Sequence, residues 1–198
     1  VVINVEKREV KDTYYIGPEG GSINVLAMTH NDTAFFAATE AGIYRAAIDD
    51  PNLAFYANWT KLSNIPSPNG FYNHIHYFEG KLFANLTDED DPEDKLYVYE
   101  NNLWRLLDNE DNGRTTSLRT CGDKLVVSYS YYTKTFNANL EQELKIYTNP
   151  DRSPSPSDAI IGTDNFYWIA DKVKGLAKVW GGGFEYQFIK PSGAPTAD

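Results

Sequence analysis

NDTAFFAA (residues 31–38) is the first of four copies of one pattern in this chain. The others are EGKLFAN (79–85), GDKLVVS (122–128) and TDNFYWIA (163–170). Each copy is a turn dipeptide followed by a short apolar run, and equivalent positions (37, 84, 127 and 169) lie 47, 43 and 42 residues apart. A period near this length, with about four strands in each unit, is typical of β-propeller blades. The repeat therefore predicts an all-β fold, a β-propeller of about four four-stranded blades.

The composition agrees with a strand-rich fold and excludes two classes of partner. The 198 residues are 41% hydrophobic and 14% aromatic, which suits half-buried strands. The net charge of −10 repels a phosphate backbone, so nucleic acid is not an expected partner. The same charge opposes docking on anionic lipid. No apolar run approaches the roughly 20 residues that span a bilayer, so membrane insertion is not expected.

Short apolar runs bounded by Asn, Asp and Gly pairs supply the hairpin signals within each repeat. They predict one β-propeller domain over residues 1–198, with blades at about 22–62, 73–107, 116–148 and 158–189. Blade 3 departs from the pattern, because its apolar runs predict only three strands. TKTFNANLE (133–141) is predicted to be an insertion, and no fourth strand is expected before the Pro/Ser-rich segment.

The two ends of the chain resemble each other. TYYIGPEGG (13–21) matches YQFIKPSGA (186–194), so residues 8–21 are predicted to be the outer strand of a preceding blade. A closed ring needs only one such strand. We therefore expect an arc of a larger propeller, or a chain that adds a blade by pairing with another chain. An arc leaves blade edges exposed, which favours association through them.

Long links identify one face as the candidate binding face. In a propeller, the links from second to third strand and from blade to blade lie on the same face. Here these links include TDEDDPED (87–94), the region around 133–141, and the inter-blade segments 63–72, 108–116 and 149–157. Binding residues concentrate on long loops of a rigid scaffold. The alternative is that these loops are tolerated insertions.

The acidic run in the second blade contains the first candidate ligand-binding residues. Asp88 and Asp90, with the acidic residues up to 94, could hold calcium through carboxylate oxygens. The run lacks the alternating spacing and the glycine of an EF-hand loop. A solvated hairpin tip is the favoured interpretation, and no metal site is predicted.

The histidines and one arginine are the other polar candidates. His74 and His76 lie two apart on a predicted strand and project to one side, where two imidazoles could bind zinc. Packing on an innermost strand is the favoured role for both. Arg119 is a further candidate, and with these histidines it is the only group we could assign to catalysis. No known catalytic motif is present, and the single cysteine, Cys121, is predicted to be a packed thiol.

Three tyrosines follow Ser128 where the third blade enters its predicted insertion. Exposed tyrosines combine a flat apolar ring with a polar tip, which suits contacts with sugars or proteins. Tyr129 and Tyr131 share a side of the predicted strand, so packing between blades is favoured for both. Tyr132 is left open between packing and binding, and all three are candidate ligand-binding residues.

Longer motifs carry a family resemblance. YWIADKVKGLAKVWGGGFEYQFIKPSGAP (167–195) resembles the repeat of bacterial two-component regulator propellers, and AATEAGIYRA (37–46) is a weaker copy of its first half. HIHYFEGKLFANL (74–86) and LYVYENNLWRLL (96–107) more closely resemble the PorZ-like propeller proteins of the type IX secretion system of Bacteroidetes. The matched positions are packing positions, so the resemblance transfers no functional residue.

The resemblance implies an extracytoplasmic protein in the periplasm or at the outer-membrane surface of a Gram-negative bacterium. PorZ-like proteins help attach anionic lipopolysaccharide to secreted cargo, and the regulator propellers are sensors of glycan fragments. We therefore expect a non-catalytic module, without cofactor, that holds a protein or a glycan, including anionic lipopolysaccharide, on its long-loop face. The alternatives are a glycan-sensing propeller of a hybrid two-component receptor and a polysaccharide-active propeller enzyme.

Overall fold

A computed structural model describes residues 2–88, 90–107, 113–147, 155–183 and 185–189. Glu89, parts of the predicted links 108–116 and 149–157, and residues 190–194 of the terminal repeat lie outside the described residues. The chain forms two compact units. The first comprises residues up to Asp90 with 95–106, and the second comprises 91–94 and the chain from Leu107 onward. No helix among the described residues has the length and hydrophobicity needed to cross a membrane.

The first unit holds a small hairpin and two four-stranded antiparallel sheets, blade 1 and blade 2, whose strands are neighbours in chain order. The hairpin pairs β1 (Val2–Asn4) with β2 (Glu9–Asp12). Blade 1 consists of β3 (Val25–His30), β4 (Ala34–Thr39), β5 (Gly42–Ala47) and β6 (Thr60–Lys61). Blade 2 consists of β7 (Phe71–Phe78), β8 (Lys81–Thr87), β9 (Lys95–Glu100) and β10 (Leu103–Leu106).

The second unit holds two further sheets of the same kind, blade 3 and blade 4. Blade 3 consists of β11 (Thr115–Cys121), β12 (Lys124–Tyr129), β13 (Thr133–Phe136) and β14 (Gln142–Ile146). Blade 4 consists of β15 (Pro156–Ile161), β16 (Tyr167–Asp171), β17 (Gly175–Trp180) and β18 (Glu185–Ile189). The prediction of an all-β chain of four-stranded sheets is confirmed over the described residues.

The apolar runs of the repeat are strands buried on both faces. Successive side chains of a strand point to opposite sides. In β4, Phe36 and Ala38 pack toward blade 2 in a cluster that includes Tyr72, whereas Ala37 packs on the opposite side with Trp59. This two-sided burial explains why the repeat contains continuous apolar runs and not an alternation of apolar and polar residues.

The prediction that blade 3 lacks a fourth strand is wrong. The segment TKTF, assigned to an insertion, is the third strand β13, and β14 pairs with it as the fourth. The error arose because three of the four β13 residues are polar. Thr133, Lys134 and Thr135 are nonetheless buried, and threonine favours strands when it packs on a pleated surface.

The N-terminal segment differs from the expected outer strand of a preceding blade. Within residues 8–21 the structure has β2, which pairs with β1, and a turn of 3-10 helix at Pro18–Gly20. Ile16 lies between these elements. It packs with Trp59 on the face of blade 1 that is turned away from blade 2. Residues 13–17 thus cover part of an apolar sheet face without joining a sheet.

A β-bulge recurs at the start of the first strand of every blade. The repeated sequence pattern gives no sign of it. The register shifts fall between Val25 and Ala27, Tyr72 and His74, Thr115 and Ser117, and Pro156 and Asp158. Each bulge inserts one extra residue and increases the local twist of the strand. The blades therefore share a backbone irregularity although the residues at that position differ.

Candidate functional site: a tyrosine surface on blade 3

The candidate site lies at the link between the second and third strands of blade 3. Strand β12 ends at Tyr129, and the chain turns through Ser130 and Tyr131 before β13 begins. The backbone N–H of Tyr129 donates to the carbonyl oxygen of Tyr132 across this turn, at 2.8 Å. The sequence analysis placed this link around residues 133–141, but that segment is β13 and the turn to β14, and the link itself is the shorter segment 130–132.

The turn separates the three candidate tyrosines into different environments. Tyr129 and Tyr132 are buried, with their ring centroids 5.6 Å apart, whereas Tyr131 is 56% exposed. The prediction that Tyr129 and Tyr131 share one packed side is wrong for Tyr131, because strand alternation ends at the turn. Tyr147, which follows β14, is 43% exposed and lies edge-on to Tyr132 at 5.3 Å.

Two lysines lie among these rings. Lys134 and Lys145 are directly paired across β13 and β14, so they project from the same side of the sheet. The Nζ atom of Lys145 lies 4.1 Å from the centroid of the Tyr132 ring, and that of Lys134, which is fully buried, lies 5.6 Å from it. Ammonium groups at these distances are attracted by the negative faces of aromatic rings. The cluster therefore combines aromatic and cationic chemistry within an acidic chain.

A buried carboxylate anchors the link from the other side. The side chain of Asp94 is completely buried, and its two oxygens accept hydrogen bonds from Nη1 of Arg114 at 3.0 Å and from the backbone N–H of Thr115 at 2.8 Å. Ser130 Oγ in turn accepts the backbone N–H of Arg114 at 3.1 Å. These contacts hold the Ser130–Tyr131 turn against the segment that leads into β11.

Gly113 fits this contact closely. A Cβ atom at residue 113 would lie 3.2 Å from Cε2 of Tyr131, and its φ of +65° is in the left-handed region. Glycine adopts that region without steric cost. The Tyr131 ring therefore rests against backbone on one side and is exposed on the other.

We call three residues around Tyr132 the tyrosine surface: the exposed Tyr131, which is next to it in the chain, and the exposed Tyr147 and half-buried Lys145, which contact its ring. Aromatic rings that present both a flat apolar face and a hydroxyl are frequent in binding sites, since they lose little conformational entropy on contact. The lysine adds a positive charge beside the Tyr132 and Tyr147 rings. The arrangement can bind a ligand, and it contains no paired nucleophile and base.

The acidic run is not one site. Asp88 and Asp90 are exposed, and Oδ1 of Asp88 accepts the backbone N–H of Asp90 at 3.0 Å. Oδ1 of Asp91 accepts that of Glu93 in the same way, whereas Asp94 is the buried anchor described above. Among the described residues, no three His, Cys, Asp or Glu side chains are grouped so that they could hold a metal ion.

Arg119 lies away from the tyrosines, toward the opposite end of β11. Its guanidinium makes a two-pronged ion pair with Asp158, with Nε–Oδ1 and Nη2–Oδ2 distances of 3.1 and 2.7 Å. The hydrogen bond and charge of Asp158 raise the pKa of Arg119. Burial raises the pKa of Asp158, but hydrogen bonds from Arg119 and Ser117 and the charge of Arg119 outweigh it, so the net shift is downward. Arg119 therefore ties blade 3 to blade 4.

Replacing Asp158 by asparagine is expected to remove a pH-dependent part of the stability. Because the pKa of the folded carboxyl lies below its ordinary value, the stabilisation is present above pH 3.8 and is lost as the pH falls below it. Both partners are at least one-third exposed, so we expect a difference below about 1 kcal/mol at pH 7. Urea unfolding of both proteins at pH 7 and pH 3 measures it. An equal difference at both pH values would contradict this assignment.

The remaining sequence candidates lie within strands. His76 is half-buried in β7 of blade 2, opposite Phe83 on β8. The Cys121 sulfur accepts the backbone N–H of Ile161 at 3.3 Å, which fits the predicted packed thiol. Sequence analysis missed Tyr147, Lys134 and Lys145. If TKTF had been assigned to a strand, its pairing with ELKI would have placed Lys134 and Lys145 on the same side of the sheet.

Blade 1 also carries an apolar cavity of about 580 Å³ on the side away from blade 2. Val25 and Met28 of β3 line it and are 42% and 53% exposed. Phe35, Trp59 and Ile16 also line it. The opposite face of blade 1 is also apolar, but there it is buried against blade 2.

Comparison with known proteins defines the fold. No protein-family model and no curated sequence matches the chain. Among solved structures, PorZ of Porphyromonas gingivalis superposes with a TM-score of 0.70 at 15% identity, over 96% of this chain and 23% of that one. The extracellular domain of BT4673 from B. thetaiotaomicron gives 0.66 at 12% identity, over 94% and 24%. The fold is that of a β-propeller.

A third similar structure shows how little this fold says about function. Virginiamycin B lyase from Staphylococcus aureus gives a TM-score of 0.61 at 12% identity, over 86% of this chain and 56% of that one. The chain thus spans about a quarter of PorZ and of the BT4673 domain, and about half of the lyase. The resemblance to PorZ-like and two-component regulator propellers is confirmed as a likeness of fold. Unrelated functions share such scaffolds, so the site must carry the functional argument.

Proposed function

We propose that this chain is a non-catalytic, extracytoplasmic binding module that holds a glycan or a protein on the tyrosine surface of blade 3. The observation that carries the proposal is the exposure of two tyrosines: Tyr131, on a turn anchored by the buried Asp94, and Tyr147, which lies beside Lys145. An anchored turn presents its side chains in one conformation, which lowers the entropy lost on binding. A cation beside two rings suits an anionic glycan such as anionic lipopolysaccharide.

Two biological roles are compatible with such a module. PorZ is a bacterial surface component of the type IX secretion system, and this chain would act as a PorZ-like scaffold. BT4673 is described as a hybrid two-component system, and its extracellular domain suggests the alternative of a glycan-sensing module. The polysaccharide-active enzyme remains a third hypothesis, for which a fold shared with a lyase is the only support. Association through blade edges also stays a prediction, and the exposed Val25 and Met28 are where we expect it.

Replacing Tyr131 by alanine is expected to weaken binding of anionic lipopolysaccharide by about tenfold, or 1.4 kcal/mol, because truncating an aromatic contact residue commonly costs more than 1 kcal/mol. Tyr15→Ala is a matched control, since Tyr15 is also an exposed tyrosine (53%) but lies in the first unit. Biolayer interferometry on immobilised lipopolysaccharide measures both variants. Equal binding by wild type and Tyr131→Ala would remove the tyrosine surface as the site. Silence of the wild type would favour a protein partner.

A further inference from the structure

A second cavity, of about 260 Å³, lies in the first unit between blade 1 and blade 2. Its walls are two cross-strand rows that face each other. On blade 2, Tyr77, Leu82, Tyr99 and Trp104 are paired in register across all four strands and therefore project from one side. On blade 1, Phe36 and Arg45 are paired in the same way across β4 and β5.

The two rows are joined by a hydrogen bond. Near the first strands, the backbone N–H of Tyr77 donates to Oγ1 of Thr29 at 3.1 Å, which joins β7 to β3. Thr29 is itself paired with Phe36, so this contact lies in the same row as Arg45. Toward the outer strands, Arg45 of blade 1 and the Tyr99–Trp104 pair of blade 2 line the cavity.

The aromatic wall is held by local contacts. The Tyr99 and Trp104 ring centroids are 5.1 Å apart at an angle of 42°. Both residues flank the turn Asn101-Asn102, whose φ values of 51° and 66° fit the type I′ turn that aligns a two-residue hairpin. The Tyr99 hydroxyl also donates to Oδ1 of Asn102 at 3.3 Å. The two rings therefore form an apolar platform on one side of blade 2.

The charge of the cavity is opposite to that of the chain. The net charge of the protein is −10, yet none of the ten residues lining this cavity is acidic, and Arg45 is its one charged residue. Arg45 is exposed, and its side chain makes no ion pair or hydrogen bond within the described part of the chain. An arginine fork that is not already paired is suited to a carboxylate, which it can bind through two parallel hydrogen bonds.

Two further features limit the size and chemistry of a ligand. The volume lies just below the roughly 300–1,000 Å³ of sites for drug-sized molecules, so it suits a single ring. Trp104 Nε1 is shielded from solvent and has no acceptor among the described residues. A buried donor left unpaired costs about 1–3 kcal/mol, so an oxygen that reached it after a small ring shift would be stabilised. Asn31 and Asn64 add amide groups to the lining.

We infer that this cavity binds a single carboxylate-bearing sugar ring, a uronic acid, with its carboxylate on Arg45 and its apolar face on Tyr99 and Trp104. The amides of Asn31 and Asn64 are positioned to contact the ring hydroxyls. This site lies in the first unit and does not depend on the tyrosine surface, so the two can be tested separately.

Isothermal titration of glucuronic and galacturonic acid, with methyl glucoside as the neutral comparison, tests the proposal on the intact chain. We expect glucuronate or galacturonate to bind at least tenfold more tightly than methyl glucoside. Arg45→Gln should weaken binding of the acid by tenfold or more and leave the neutral sugar unchanged. Arg105→Gln is the matched control, because Arg105 neighbours Trp104 on β10 but pairs with Val98 on the other side of the sheet. It should bind the acid as the wild type does.

Tryptophan fluorescence supplies a second readout that does not depend on the arginine variants. Uronic acid should change the emission of the wild type but not that of Trp104→Phe. Any of three results would overturn the proposal. They are equal affinity for the acid and neutral sugars, unchanged binding of the acid by Arg45→Gln, and tighter binding of a Gly-Phe dipeptide than of either acid. Absence of binding up to about 10 mM would also overturn it and would leave the cavity a packing defect that holds water only. Tyr131→Ala should bind uronic acid normally whatever the outcome for lipopolysaccharide.

Discussion

Replacing Tyr72 by alanine is expected to lower the free energy of unfolding of the first unit by about 3–5 kcal/mol. Tyr72 is 1% exposed and belongs to the cluster that joins blade 1 to blade 2. Its hydroxyl donates to the carbonyl oxygen of Pro66 in the link between these blades. Alanine would leave a cavity between the blades and an unpaired carbonyl. Urea unfolding followed by circular dichroism measures the change.

Tyr72→Phe separates the two contributions. It keeps the ring and removes the hydrogen bond, so it should lose only about 0.5–1.5 kcal/mol. Burial raises the pKa of the Tyr72 phenol, and the nearby Tyr97 raises it further, so the hydroxyl remains protonated and keeps its donor role. A loss for Tyr72→Phe as large as that for Tyr72→Ala would show that the hydrogen bond, and not ring packing, holds the blades together.

Replacing Asp94 by alanine is expected to destabilise the second unit by about 2–3 kcal/mol and to weaken binding at the tyrosine surface. The carboxylate has no solvent exposure and accepts hydrogen bonds from Arg114 and from the backbone of Thr115. Hydrogen bonds to a charged group are worth about 1.5–3 kcal/mol, and removing one member leaves the partners unpaired. Arg114 also carries the backbone contact to Ser130, so the Tyr131 turn should loosen.

Asp88→Ala is the matched control for Asp94→Ala. Asp88 belongs to the same acidic run, but it is exposed, and such surface substitutions usually change stability by less than about 0.5 kcal/mol. Urea unfolding gives the stability of both variants, and interferometry on lipopolysaccharide gives their binding. Equal stability of the two variants would show that Asp94 is not an anchor. Loss of stability with unchanged binding would separate the anchor from the tyrosine surface.

Both proposed sites depend on how a propeller blade uses its side chains. The second strands of blades 1 to 3 bury residues on both faces, so their aromatic residues serve to pack neighbouring sheets. We expect binding where this packing ends, at a turn such as Ser130–Tyr131 or in the cavity beside Arg45. The turn presents an exposed tyrosine ring. The cavity contains the Arg45 guanidinium, which has no partner among the described residues.

Local sequence signals predicted the elements that depend on local chemistry. Asn101-Asn102 predicts a hairpin because asparagine tolerates the left-handed region, and the structure has positive φ at both positions. The repeated apolar runs predicted the second strand of each blade, since β-branched and aromatic residues favour strands. The polar segment TKTF was misassigned because its burial depends on the neighbours that cover it, and composition does not show those neighbours.

The sequence by itself determined the all-β class, the four-stranded repeat and the three tyrosines from which the candidate site is built, because repeat spacing, turn residues and residue type are local properties. Only the tertiary structure decided that Tyr131 is exposed while Tyr129 and Tyr132 are buried, that Asp94 is an anchor while Asp88 is not, and that Arg45 faces the Tyr99–Trp104 pair. These distinctions depend on strand register and on contacts between residues far apart in the chain. A one-residue change of register or a turn moves a side chain to the other face without changing its type.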